Sequence, residues 1–163
     1  MDTARPAAFS YSRALAPLMW VFACIMTLEL VVVHLLVAGL SSHLAAAILS
    51  AVSLAALVWT VAFVSSLKRR PVLVDAAGVT MRIGSLKSVR VPAASMKAVL
   101  TSWPRERLKQ RGVLNFALID YPNVMLELDP PLQGRRPVHT IAHRLDDPAG
   151  FVAAIRQHSE SQR

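Results

Sequence analysis

The sequence predicts an α+β membrane protein in which a two-helix hairpin precedes a β-rich domain that ends in one helix. Two adjacent apolar runs, Leu18–Leu40 and Leu44–Leu67, predict the hairpin. Each run exceeds the roughly 20 residues with which a helix, rising about 1.5 Å per residue, crosses a hydrocarbon core of roughly 30 Å. The basic triplet Lys68-Arg69-Arg70 follows at once, and short runs rich in β-branched residues then replace the long apolar ones.

Composition agrees with this division of the chain. The 163 residues are 54% hydrophobic and carry a formal net charge of +8. That hydrophobic fraction is unusual for one soluble domain, but it becomes ordinary once residues 14–70 are assigned to a transmembrane hairpin. Residues 71–163 remain, and a segment of that size holds one modest core.

Basic residues beside the spans predict the topology. Arg13 precedes the first span and Lys68, Arg69 and Arg70 follow the second, whereas the turn Ser41-Ser42-His43 has no Lys or Arg. Under the positive-inside rule both termini are cytoplasmic and the turn is outside. We therefore expect a multi-pass protein of a bacterial-type inner (plasma) membrane.

The segment before the first span, residues 1–13, is polar and mixed, and we expect a frayed or interfacial cytoplasmic lead-in. Tyr11 and Trp20 fall near the inner interface, where aromatic belts occur. A signal peptide is the competing interpretation of residues 1–40. It is weaker because a signal h-region is normally about 7–15 residues, and a second full-length span follows here.

Small residues are frequent in the second span, including Ala45, Ala46, Ala47, Ser50, Ala51, Ser53, Ala55 and Ala56. Such a face lets two helix backbones approach closely. The span has no GxxxG motif, so packing within the hairpin and packing against another subunit both stay open.

After Arg70 the sequence predicts about seven short strands, at Val72–Asp75, Val79–Ile83, Ser88–Val91, Met96–Ser102, Val113–Asp120, Val124–Leu128 and Arg136–His143. Gly78 supplies a positive φ for the first hairpin turn. Pro92 ends the third strand or confines it to an edge. Asp129-Pro130-Pro131 is not expected to continue a sheet ladder. Pro104–Arg111 is strongly polar and is predicted as a solvated loop or a single helical turn.

The end of the chain predicts an amphipathic helix. Asp147-Pro148 places an N-cap residue before a proline at the first helical position, the preferred way to begin a helix. Phe151, Val152 and Ile155 then share one face. Asp146 and Asp147 could be read as a pair of catalytic carboxylates, but helix capping is enough to explain them.

Two stretches carry a resemblance to a known family. They are Arg70-Pro71-Val72-Leu73-Val74-Asp75-Ala76-Ala77-Gly78-Val79 and Leu145-Asp146-Asp147-Pro148-Ala149-Gly150-Phe151-Val152-Ala153-Ala154-Ile155. With the hairpin before them, they resemble the bacterial PH-like domains (pleckstrin-homology superfold) that follow paired transmembrane helices. The resemblance implies a bent antiparallel β-sheet or barrel with one C-terminal helix, and the role of a binding or assembly module. It transfers no functional residue.

Glu29 and His34 are the ionisable residues within the apolar runs. A charged group at mid-bilayer costs roughly 2.5–3.5 kcal/mol on insertion scales, so each invites a functional hypothesis. Five helical positions rotate them by about 140°, so they do not share a face, which weakens a joint proton or metal site. We expect intramembrane polar packing, with Glu29 neutral or hydrogen-bonded across a helix interface in an oligomer or to a partner's span.

A basic set, Arg105, Arg107, Lys109 and Arg111, is the candidate for lipid headgroups, because a cation near an anionic membrane gains about 1 kcal/mol. Arg135 and Arg136 join it if the loops converge on the membrane side. The alternative is a solvated loop in which Glu106 dilutes the charge. Nucleic acid is not expected, because the basic residues lack aromatic interleaving and a binding motif.

Metal and catalytic chemistry find little support. His139 and His143 fall in a predicted strand, where residues four apart lie about 13 Å from each other, so we expect solvated or partly buried histidines and no shared metal. Cys24 is the sole cysteine, so an intrachain disulfide is excluded, and it lies in the first span. The sequence has no GxSxG, P-loop, HExxH or Rossmann glycine pattern. We expect neither an enzyme nor a cofactor.

These observations lead to one preferred function and two alternatives. The preferred function is a non-catalytic interaction module that binds a protein partner or a second copy of itself while the hairpin holds it at the membrane. The first alternative is anionic-lipid sensing by the Arg105–Arg111 loop. The second is ion or proton conduction through Glu29, which requires an oligomer because two helices are too few.

Overall fold

Two long antiparallel helices dominate the N-terminal half of the protein. The computed structural model describes residues 6–13, 15–40, 43–134 and 136–160. Helix α1 is Leu15–Leu40 and helix α2 is His43–Arg69. The two predicted apolar runs are therefore confirmed as helices. Residues 41 and 42 of the predicted turn, and Arg135, lie outside the described residues.

Some of the small residues of α2 pack within the hairpin. Ala46 is 1% exposed, and the Ser50 hydroxyl lies 2.6 Å from His34 Nδ1 on α1. Further along, the Thr60 hydroxyl donates to the sulfur of Met26 at 3.8 Å. Part of this small-residue set thus contacts the neighbouring helix of the same chain, whereas Ala47, Ala51, Ala55 and Ala56 are exposed, so packing against another subunit stays open.

The hairpin interrupts a β-sheet. Strand β1, Ala7–Phe9, pairs antiparallel with β2, Val72–Asp75, so that Ala7 lies opposite Val74 and Phe9 opposite Val72. The expected frayed lead-in is therefore wrong for these residues. The error has a physical cause, since the partner of this three-residue strand lies beyond both helices and no local turn announces it.

The first sheet is a four-stranded antiparallel meander, in the order β1-β2-β3-β4. Strand β3 is Gly78–Ile83 and β4 is Lys87–Pro92, close to their predicted positions. Gly78 has φ +142°, which is the positive φ predicted for this turn. A side chain at residue 78 would also collide with the backbone of Val91.

The second sheet has the order β5-β7-β8-β6. Its strands are β5, Met96–Leu100; β6, Val113–Asn115; β7, Val124–Leu132; and β8, Val138–His143. Short 3₁₀ helices at Ala93–Ser95 and Arg105–Lys109 flank β5, and the latter matches the single helical turn expected there. Neighbouring strands are antiparallel except β6 and β8, which are parallel.

Two predicted strands differ from the structure. Strand β6 ends at Asn115 rather than Asp120, because its ladder with β8 covers only three residues. Strand β7 extends past Leu128 to Leu132, across the Asp129-Pro130-Pro131 stretch. The register shifts between Glu127 and Leu132, so the prolines, which have no N–H, stand outside the paired positions.

Helix α3, Pro148–Glu160, confirms the C-terminal prediction. Asp147 Oδ1 accepts a hydrogen bond from the Gly150 amide at 2.9 Å, which is the N-cap expected from the sequence. Phe151 is completely buried, and its ring meets that of Phe9 edge-on at 5.4 Å. The last helix is thereby packed against the first strand.

One core joins the hairpin base to both sheets. Leu15, Phe63 and Leu67 are buried in the same cluster as Val72 and Ile141. Beyond that base the hairpin's apolar side chains face outward. Only 6% of the most apolar stretch of α1 and 11% of that of α2 are buried, although both helices are long and apolar enough to cross a membrane.

Candidate functional site

Tyr11 joins the hairpin base to the domain. It is 5% exposed, and its hydroxyl donates to the Arg70 carbonyl at 3.0 Å and accepts from the Gly84 amide at 2.6 Å. Burial raises the pKa of Tyr11, although the Gly84 amide and the nearby Arg82 and Arg70 oppose that shift. The expected place of Tyr11 in an aromatic belt is therefore wrong, because its ring lies in the protein core.

The turn between β3 and β4 rests on the last turns of α2. The Ser85 amide donates to Ser66 Oγ at 3.0 Å. Gly84 has φ +48°, and a side chain at that position would press on Ser66, Leu67 and Phe63. Glycine is thus required both by the backbone and by the close approach of the helix.

His143 lies beside Tyr11 at the same end of the domain. It is 1% exposed, so the expectation of a solvated or partly buried side chain is wrong. Its Nδ1 accepts from the Arg144 amide at 2.8 Å, so Nε2 carries the hydrogen donated to the Arg82 carbonyl at 3.0 Å. Burial lowers the pKa of His143 from 6.5 to about 4, which keeps the ring neutral.

His139 and His143 do not lie together. His139 is exposed at the opposite end of β8, as expected for residues four apart in a strand. The described residues contain no group of three His, Cys, Asp or Glu side chains that could hold a metal ion. His143 instead lies 5.0 Å from the ring of Tyr11 and 5.7 Å from that of Phe116, between centroids.

A cavity of about 250 Å³ opens beside this aromatic cluster. Tyr11, Leu15 and His143 form part of its wall, and the segment from Phe116 to Asp120 forms another part. The ammonium of Lys87 lies 5.4 Å above the Phe116 ring, which brings the β3–β4 turn to the same segment. Sequence inspection missed this cluster, because its members are separated by tens of residues and share no spacing.

The members of the predicted basic set have different surroundings. Arg107 donates to Glu127 at 2.7 Å, and the guanidinium of Arg105 lies 5.8 Å from the centre of the Tyr121 ring. Arg111 instead lines a separate cavity with Arg136 and His139, about 13 Å along β8 from His143. Lys109 is exposed between them. Arg111 and Arg136 thus converge away from the hairpin, so the condition for Arg136 to join the basic set, convergence on the membrane side, is not met.

The two ionisable residues of α1, Glu29 and His34, differ in their surroundings. His34 is engaged with Ser50 across the hairpin. Glu29 is exposed near the middle of α1, and no hydrogen bond or ion pair engages it within the described part of the chain. Since α1 is one continuous helix, the two side chains are about 140° apart, as expected.

The four cations used to predict topology lie at the domain end of the hairpin. Arg13 precedes α1, and its amide donates to the Asp146 carboxylate at 3.3 Å. Lys68, Arg69 and Arg70 are exposed at the end of α2. All four therefore lie where the helices meet the sheets.

Comparison with known proteins assigns no family. The chain matches no protein-family model, no curated protein and no solved structure.

Proposed function

We propose that this protein is a non-catalytic, membrane-anchored interaction module in which a transmembrane hairpin carries a PH-like domain. The strand order supports the PH-like assignment. A four-stranded meander is followed by the antiparallel strands β5, β7 and β8 and then by a C-terminal helix, with the short β6 as an addition at the edge. In this proposal the hairpin is an insertion between the first two strands of the domain.

The connection of the hairpin to the sheet supports one orientation. Because β1 and β2 are neighbours, α1 must begin and α2 must end on the same side of any membrane that they cross. The four cations named above occupy that side. Under the positive-inside rule this side is cytoplasmic, and the membrane is a bacterial-type inner membrane.

The exposed carboxyl of Glu29 carries the proposal of an interaction. An ionisable group facing lipid is costly, whereas one that contacts another helix can find a hydrogen-bond partner. The hairpin does not supply that partner, since Glu29 is exposed and no hydrogen bond or ion pair engages it within the described residues. The partner is therefore the membrane span of a second copy or of another protein, which the anchored domain meets at high local concentration.

Native mass measurement of the full chain tests this proposal. The protein is extracted from its own membrane in mild detergent, and companions are identified by mass spectrometry. We expect a homo-oligomer or a stoichiometric companion, retained in Glu29→Gln, which still forms hydrogen bonds, and lost in Glu29→Leu.

Val31→Leu is the matched control, because Val31 is 52% exposed and lies about 200° around α1 from Glu29. It should leave the native mass unchanged. A wild-type monomer without a companion would overturn the interaction module. An unchanged mass of Glu29→Leu would show that this carboxyl does not hold the assembly.

A further inference from the structure

Outside the two long helices, large exposed apolar side chains are confined to one region of the described chain. Leu86 is 54% exposed, Leu118 is 48% and Ile119 is 55%, and Tyr121 follows at 41%. Leu86 lies in the turn between β3 and β4, and the others lie in the segment after β6. We call Leu86, Leu118 and Ile119 the apolar rim.

Hydrogen bonds and packing place the rim around the base of the hairpin. Leu86 follows Ser85, whose amide donates to Ser66 in the last turns of α2. Leu118 and Ile119 line the cavity that Leu15, the first residue of α1, also lines. The ammonium of Lys87 lies above the Phe116 ring, so the β3–β4 turn and the segment after β6 contact each other. Both therefore lie beside the domain end of the hairpin.

Helix length indicates the depth of that level in a bilayer. The 27 residues of α2 extend over about 40 Å, whereas the hydrocarbon core is roughly 30 Å thick. About 10 Å of helix therefore remains for the polar interface, equivalent to about two turns. Those turns at the domain end include Phe63 and Leu67, against which the β3–β4 turn rests.

From these placements we infer that the apolar rim enters the headgroup–acyl boundary of the membrane that holds the hairpin. The inference rests on the proposed membrane insertion. Lipid is favoured as the occupant because the rim continues the apolar surface of α1 and α2, with the exposed cations of residues 68–70 and Lys87 beside it at headgroup depth. Contact on the rim fixes the tilt of the domain against the bilayer.

Spin labels on the full-length chain test the inference in vesicles of phosphatidylcholine and phosphatidylglycerol. One protein carries the label on the native Cys24, which lies in α1, while Leu86→Cys, Leu118→Cys and Gln133→Cys are made in a Cys24→Ala background. Gln133 is the matched control, because it is exposed at the far end of the domain between β7 and β8. Accessibility to oxygen and to a water-soluble nickel chelate is then measured at each label.

We expect an oxygen-to-nickel accessibility ratio several-fold higher at residues 86 and 118 than at residue 133, and highest at residue 24. A lipid-like ratio at residue 24 with aqueous ratios at 86 and 118 would overturn the rim while leaving the membrane hairpin intact. An aqueous ratio at residue 24 would overturn the hairpin insertion and the rim with it.

Discussion

Removing the hydroxyl of Tyr11 tests whether its two hydrogen bonds stabilise the contact between the hairpin base and the domain. In Tyr11→Phe the ring and its packing remain, but the Arg70 carbonyl loses a donor and the Gly84 amide loses an acceptor. Gly84 is buried, so its N–H has no water to replace the lost partner. Arg70 is exposed, so we expect water to replace the hydroxyl at its carbonyl.

The magnitude follows from this difference. An unsatisfied buried group costs about 1–3 kcal/mol, and the loss of a bond whose acceptor is rehydrated costs about 0.5–1.5 kcal/mol. Together the two losses predict a destabilisation of about 1.5–4.5 kcal/mol, with a central value of about 3 kcal/mol. For a domain on the order of 100 residues, this lowers the melting temperature by about 10 °C or more.

Thermal melting of the full chain in detergent and hydrogen exchange of the residue 83–87 peptide measure the effect. We expect exchange at Gly84 to become roughly 10- to 100-fold faster. The only other tyrosine, Tyr121, is 41% exposed, and Tyr121→Phe is the matched control, expected to change stability by less than about 0.5 kcal/mol. If Tyr11→Phe and Tyr121→Phe melt at the same temperature, the Tyr11 hydroxyl does not stabilise this contact.

Two further substitutions probe the same end of the domain. Because burial lowers the pKa of His143 from 6.5 to about 4, the unfolded chain binds a proton first as the pH falls through this window. Stability should drop by about 3 kcal/mol between these pH values. The melting temperature of His143→Gln should lack that component, and equal pH dependence in both proteins would contradict a neutral buried ring. Gly84→Ala should cost about 1 kcal/mol or more, because φ is +48° and the added methyl meets Phe63 and Leu67. Gly39→Ala, where the added carbon meets nothing within 4 Å apart from its chain neighbours and its own helix backbone, should melt at or above the wild-type temperature in the same assay, because alanine favours a helix more than glycine does; parity between the two variants would refute the steric argument.

Elements that depend on neighbouring residues were predictable from the sequence. The two apolar helices follow from uninterrupted hydropathy, the β2–β3 hairpin from the glycine at residue 78, and α3 from the Asp147 cap and the apolar face of Phe151 and Ile155. In each case the information lies within a few residues of the element itself, and the structure adds only small changes at the boundaries.

Features that depend on distant partners were not predictable. Strand β1 is too short to be recognised by alternation, and its ladder forms with residues beyond the hairpin. Tyr11 next to an apolar run looks like an interfacial aromatic, because the sequence does not show that Gly84 and Arg70 converge on its hydroxyl. The pairing of Arg107 with Glu127, which neutralises part of the expected basic set, depends in the same way on the position of β7.

The pairing of β1 with β2 also sets an order of events during synthesis. β1 leaves the ribosome first, yet its ladder requires residues 72–74, which are made only after both helices. The edge of β2 stays open until the N-terminal segment returns to it, and an open strand edge is a template for pairing with other chains. The two strands come together only when α1 and α2 pack side by side. The first sheet is therefore completed after the helical hairpin has formed.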